Sequence, residues 1–257
     1  MSINQFNEDC KKIRKNTLKS VFKAGSGHIG PSFSIIELTH FIYKYEKDFN
    51  FILSKGHAAP GYYACLYQNQ LLSKREFFNL RKIGSQTQGH PDRLLFKKID
   101  CSTGALGQGL SVAIGYAIGN KHLNKNKKTF CILGDGEMQE GQIWESLLFL
   151  GNNNLRNLIT IIDYNKYQNE MSVKETLDLG NLKKKLSSFN LEVIEINGHD
   201  YKDIKKALKI KKLNKNTVVI AHTIKGKGIS FMENDNHWHS AKLNKDNYSK
   251  AIEELDI

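Results

Sequence analysis

The chain has 257 residues, with 40% hydrophobic and 25% charged side chains, the range of a soluble globular domain with a sizeable core. Its net charge of +12 invites a nucleic-acid partner, but the lysines are scattered through "NKNKKTF", "LKKKLSS" and "IKKALKIKKLNKN" without interleaved aromatics and read as a compositional bias. No run approaches the roughly 20 apolar residues of a membrane span, and "MSINQFNEDCKKIRKN" lacks an apolar signal core, so a cytoplasmic protein bound to neither membrane nor nucleic acid is expected.

With only three prolines, no linker and no internal repeat, residues 1–257 should form a single domain. In chain order the patterns predict helices over 5–23 and 34–46, a strand at 51–54 ("FILS"), and helices over 59–70 and 106–122. There follow a strand at 129–133 ("TFCIL"), a helix over 141–153, and strands at 158–163 ("LITIID") and 191–196 ("LEVIEI"). A helix over 200–210 and a strand at 217–223 ("TVVIAHT") complete the series. The segment "LGQGLSVAIGYAIGNKHL" is small and apolar on all sides, as suits a largely buried helix. Several strands are apolar almost throughout, as when helices cover both faces of a parallel sheet. The fold class is therefore α/β, a doubly wound, mainly parallel sheet flanked by helices. In such sheets ligands bind beyond the carboxyl ends of the strands. The four cysteines form no CxxC pair, and Cys65 and Cys131, set in apolar runs, read as buried small hydrophobes.

At one such strand end, residues 134–140 read "GDGEMQE". Glycines on both sides of Asp135 permit unusual dihedrals and close approach of a ligand. The helix that follows offers unpaired amides and partial positive charge to a phosphate. A carboxylate beside a phosphate is repulsive unless a cation stands between them, and Mg²⁺ commonly bridges the two. The competing reading is a tight turn with Asp135 as an N-cap. Asn165, at the end of the next strand in "LITIIDYNKYQ", offers a second hard oxygen ligand, with 28 residues between it and Gly136.

A GDG followed at that spacing by Asn resembles the motif of thiamin-diphosphate enzymes. The resemblance implies Mg²⁺ (or Ca²⁺ or Mn²⁺ in its place) held by Asp135, Asn165 and the main-chain oxygen of Tyr167, with the Gly136 amide on the diphosphate. Further segments resemble the amino-terminal half of transketolase: "GSGHIGPSFSIIEL" with His28, "LSKGHAAPGYYACLY" with His57, "QGHPD" with His90 and "STGALGQGLSVAIG" with Gly104 and Leu106. The likeness runs from about residue 10 to 245. It implies that Gly104 and Leu106 lie near the cofactor's rings, that His28 and His90 face the substrate, and that His57 sits beside the diphosphate or the reacting hydroxyl. Imidazoles titrating near neutrality suit proton movement on sugar hydroxyls. Near the carboxyl end, "HTIKGKGISFMENDNHWHS" resembles a segment whose histidine reaches both diphosphate and substrate; His237 and His239 are candidates, with His239 preferred from the "WH" pairing. "KGKG" lacks the P-loop spacing; Lys225 could still approach the diphosphate, but a solvated lysine is the expectation. Glu140 resembles a glutamate that lies at the subunit interface between the two active sites, and equally suits a first-turn carboxylate complementing the helix dipole.

The family's second and third domains have no counterpart in these residues, and with them go the glutamate that activates the cofactor and most cations that grip a sugar phosphate. The resemblance thus implies the amino-terminal subunit of a two-chain transketolase, completed by a separate carboxy-terminal subunit in an α2β2 assembly and acting on a sugar or sugar phosphate. Two departures stand out: "YEKDFNFI" abbreviates the approach to the first strand, and Ala105 replaces a proline of many relatives. The alternatives are a two-chain thiamin-diphosphate enzyme acting on a 2-oxoacid and a non-catalytic binding subunit.

Overall fold

The computed structural model of the chain describes residues 2–209 and 215–256. Five strands form one sheet: β1 (Phe49–Leu53), β2 (Lys128–Gly134), β3 (Leu158–Tyr164), β4 (Glu192–Asn197) and β5 (Thr217–His222). Their order is β1-β2-β3-β5-β4, and every pair is parallel. All five predicted strands are present within two residues of their expected bounds.

The helices are α1 (Ile3–Ala24), α2 (Ile29–Phe33), α3 (Ile36–Tyr45), α4 (Ala59–Gln68), α5 (Lys74–Phe77), α6 (Gly109–His122), α7 (Gly141–Gly151), α8 (Val173–Leu177), α9 (Leu182–Ser188), α10 (Tyr201–Leu208) and α11 (Lys245–Glu254). The predicted helix over 200–210 ends at Leu208, and its residue 210 lies outside the described residues. The short helices α2, α5, α8 and α9 and the terminal α11 have no counterpart among the sequence expectations.

Period-two alternation sends successive strand side chains to opposite faces, and each face has its own core. Phe51, Phe130, Ile132, Ile159, Ile161 and Val219 pack with α1, α3 and α4. Ile52, Cys131, Leu133, Ile162, Val218 and Ile220 pack with α6 and α7. Helix α1 shows the local logic. The Ser2 side chain caps it by accepting from Gln5 N–H, and Phe6, Cys10, Ile13, Thr17 and Val21 recur at helical spacing on its buried side. Gly25, at φ 59°, ends it in the left-handed conformation. Cys65 and Cys131 are fully buried, as expected of small hydrophobes.

The register fixes the site. Gly134 pairs with Asp163, and Tyr164 with His222, so β2, β3 and β5 end together and release their loops into one cleft.

Candidate active site

A cavity of about 300 Å³ opens at that end of the sheet, its wall including Lys55, His57, Asp135, Asn165, Lys225 and His239. Asp135 is buried on the floor, 1% exposed. Its Oδ1 accepts from Gly136 N–H at 2.8 Å and its Oδ2 from Lys166 N–H. Lys166 presents that amide because its backbone is left-handed, φ 69°. Burial and the neighbouring Asp163 push the Asp135 carboxyl up to about 7, against the pull of these amides and of Lys55. The turn reading therefore holds in part: Asp135 does cap the short turn Gly136–Gln139. A cap does not need so complete a burial.

Of the two flanking glycines, the second is the more closely packed. A Cβ on Gly136 would meet the Gln168 side chain at 2.9–3.0 Å, whereas one on Gly134 would find its nearest atom, Lys55 Cβ, at 3.7 Å.

Asn165 is 4% exposed. Its Nδ2 donates to Asp163 Oδ2 at 3.1 Å, which turns Oδ1 toward Tyr167 N–H at 3.0 Å and leaves that oxygen a second lone pair. No donor among the described residues bonds the Tyr167 carbonyl. One carboxylate, one amide oxygen and one carbonyl make an incomplete, hard shell. Among the described residues no cluster of three or more His, Cys, Asp or Glu is arranged for a metal. A cation here would need anionic ligand oxygens to complete its coordination.

Two buried lysines line the cavity, and one of them corrects the sequence reading. Lys225, expected to be solvated, is fully buried. Its ammonium donates to the Gln168 carbonyl at 2.7 Å and reaches Asn236 Oδ1 at 3.4 Å and His239 Nδ1 at 3.2 Å. No carboxylate among the described residues pairs with it, and burial together with Lys55 lowers its pKa to about 8. A buried ammonium without a counter-ion, lining a cavity, is a ready anion site. Lys55 is also buried, 1% exposed, and is paired: it donates to Asp163 Oδ2, which also accepts from Ser34 Oγ at 2.6 Å. The sequence carries a signal for this pair, because Asp163 is a charge inside the apolar run "LITIID".

Glu137 is a further residue that sequence reasoning misses. Its carboxylate accepts from Ser54 Oγ, Gly107 N–H at 2.9 Å and Gly134 N–H at 3.1 Å. It thereby ties the Asp135 turn to the His57 loop and to the "LGQG" loop.

The four predicted histidines converge. His28 lies 6.0 Å from His57, 6.2 Å from His90 and 5.6 Å from His239, ring centre to ring centre, and His57 stacks on His239 at 5.0 Å. His237 stays outside this group, its ring edge-on to Trp238. Of the two candidates in "HWH", His239 is therefore the one at the cleft. Burial, aided by surrounding cations, lowers His28 to about 4 and His239 to about 3, and moves His57 and His90 downward too. All four rings are neutral at pH 7. His28 occupies a left-handed backbone conformation, φ 73°, at the start of α2, and Arg81 lies 2.8 Å from its Nδ1.

Gly104, at φ 137°, brings the backbone against His90, whose ring atoms would lie 3.0 Å from a Cβ there. Leu106 is 37% exposed at the cavity mouth. Glu140 lies on the same rim, exposed, at the N-cap of α7, and its side chain makes no capping hydrogen bond.

Residues 7–256 match the family described as transketolase, thiamine diphosphate binding domain. The chain is 32% identical to one of the subunits of the apulose-4-phosphate transketolase of Phocaeicola vulgatus, over 99% of this chain and 95% of that protein. It is 35% identical to the 6-deoxy-6-sulfo-D-fructose transketolase subunit SqwG of a Clostridium species, over 95% and 94% respectively. Human transketolase is 34% identical across 96% of this chain, which spans only 41% of that protein. The crystal structure of Campylobacter jejuni transketolase superposes with a TM-score of 0.92 at 30% identity, covering 100% of this chain and 43% of that one. The chain belongs to the transketolase family, as its thiamine-diphosphate-binding domain.

Proposed function

We propose that the chain is the amino-terminal subunit of a thiamin-diphosphate- and Mg²⁺-dependent transketolase that moves a two-carbon ketol unit from a ketose to an aldose. A separate carboxy-terminal subunit completes the active site, in an α2β2 assembly. The observation that carries this reading is the cleft that joins an unpaired buried ammonium, Lys225, to a half-built oxygen shell and the stacked rings of His57 and His239, with His28 against both rings and His90 against His28.

The donor set suits the cofactor. Asp135, Asn165 and the Tyr167 carbonyl would hold the metal, and the Gly136 amide with Lys225 would receive the diphosphate. When bound, thiamin diphosphate supplies the electron sink for carbon–carbon cleavage. This chain's part is to bind and to move protons. His28 and His90, which adjoin the cavity through ring contacts with its wall, would bond sugar hydroxyls. His57 and His239, stacked, stand between that side and Lys225. As neutral rings each can accept a hydrogen bond at one nitrogen and donate at the other, which suits them to bond and orient hydroxyls at pH 7. Gly104 and Leu106 would border the cofactor's rings, and Glu140, at the cleft mouth, would face the neighbouring subunit.

The relatives from Phocaeicola and Clostridium are themselves single subunits and are matched along nearly their whole length, which supports a two-chain architecture. So does the apolar surface. Ile118 on α6 and Leu148 and Phe149 on the adjoining α7 are 42%, 56% and 45% exposed, apolar side chains that a partner chain would cover. Those two relatives are named for a phosphorylated and a sulfonated sugar, so a ketose with an anionic end is the first substrate to try.

The test is turnover by the chain and its partner subunit with Mg²⁺, thiamin diphosphate and a panel of ketose donors and 2-oxoacids. Ketol transfer that disappears in Asp135→Ala is expected. Turnover of pyruvate in place of any ketose, or full activity in Asp135→Ala, would overturn the reading.

A further inference from the structure

The segment Thr223–Gly228, which leaves β5 and carries Lys225, is held from behind by side chains that do not line the cleft. His199 Nε2 accepts the Ile224 N–H at 2.9 Å. Arg14 Nε donates to the Lys227 carbonyl at 2.7 Å. Glu37 joins these two holds, with Oε1 on the Arg14 guanidinium at 2.7 Å and Oε2 on His199 Nδ1 at 2.9 Å. Since an N–H donates to Nε2, the ring proton sits on Nδ1 and is given to Glu37. Gly226 N–H also reaches the Gly30 carbonyl at 3.1 Å, and Gly228, at φ 96°, lets Arg14 approach to 3.1 Å of where a Cβ would stand.

We propose that His199, set in one tautomer by Glu37 and Arg14, is a positioning residue that fixes Ile224 and so aims the neighbouring Lys225 ammonium at the diphosphate pocket and the His239 ring. The proposal rests on the reading that this cleft holds thiamin diphosphate. The competing role for His199 is only to satisfy the buried Glu37 carboxylate. The two roles use different ring nitrogens, so substitutions can separate them. His199→Gln places an acceptor near the Nε2 position and gives up the Glu37 donor. His199→Asn keeps a donor near Nδ1 and gives up the hold on Ile224.

Two measurements decide. The full chain labelled with ¹⁵N-histidine reports the His239 Nδ1 shift, which reads its bond to Lys225 without cofactor or turnover. Calorimetry then gives the affinity for thiamin diphosphate with Mg²⁺, for the chain alone and with its partner subunit. In His199→Asn the His239 shift should be lost and the cofactor should bind about 10–100-fold more weakly, the usual scale for groups that orient a site from behind. In His199→Gln both should stay close to the unsubstituted chain. The reverse order, equal losses in the two variants, or no loss in either overturns the proposal. If the unsubstituted chain with its partner binds no thiamin diphosphate, the functional reading fails, while the His239 shifts still decide the positioning role.

Discussion

The floor and the wall of the cleft are built on different terms. On the floor, Asp163 alone accepts from Ser34, Lys55, Asn165 and Thr223, and Glu137 accepts from three donors in three segments. These carboxylates are bonded to other parts of the same chain, so the floor is held together before any ligand arrives. The wall is made of rings that contact one another and are carried on loops and single helical turns between the main elements, with His90 and Arg81 exposed. A rigid floor suits a cofactor that stays, and a wall with spare donors and acceptors suits substrates that come and go. The first region should be costly to alter in stability, and the second in turnover.

The sharpest way to break that contrast is Lys55→Met. It leaves Asp163 as an uncompensated buried carboxylate, and removing one partner of such a pair costs about 3–5 kcal/mol. A urea titration should show the loss as a lower midpoint; an unchanged midpoint would mean that the floor is not held as described.

Next comes acid. Burial opposes ionisation of Glu37, but Arg14 at 2.7 Å and His199 outweigh it and hold its carboxyl down at about 2, from 4.5. The folded pKa lies below the unfolded one, so this contribution is fully present above about pH 4.5 and is lost as pH falls through about 2. The drop amounts to roughly 3 kcal/mol. Stability curves of the parent chain and of Glu37→Gln should converge across that window.

The smallest effect on folding is expected on the wall. His90→Ala should change unfolding free energy by no more than about 0.5 kcal/mol, as at other exposed positions. Its turnover with the partner subunit should nevertheless fall by about 10²–10⁴-fold if the ring moves protons. Equal stability losses for Lys55→Met and His90→Ala would erase the distinction between floor and wall.

The same contrast marks what the sequence discloses. The five strands are legible because buried parallel strands are continuous apolar runs, and the histidines because each sits in a glycine-bearing segment. Helices such as Lys74–Phe77 and Val173–Leu177 span barely one turn, too little for a period to register. Lys225 reads wrongly because nothing near "KGKG" reveals that its partners are residues 168, 236 and 239. Burial of a charge is a property of the assembled fold; Asp135 in "GDG" and the odd aspartate in "LITIID" hint that the floor holds negative charges, but nothing hints at the buried lysines beside them.

The bond from Arg14 to Lys227 spans 213 positions. At 5–20 residues per second, a ribosome would release α1 roughly 10–40 s before the segment it must grip. Through that interval Phe6, Ile13 and Val21 have no finished core to enter, and contacts so distant in sequence form late. The cofactor cleft is thus among the last features a nascent chain can close, and chaperone demand during synthesis should track the apolar side of this first helix.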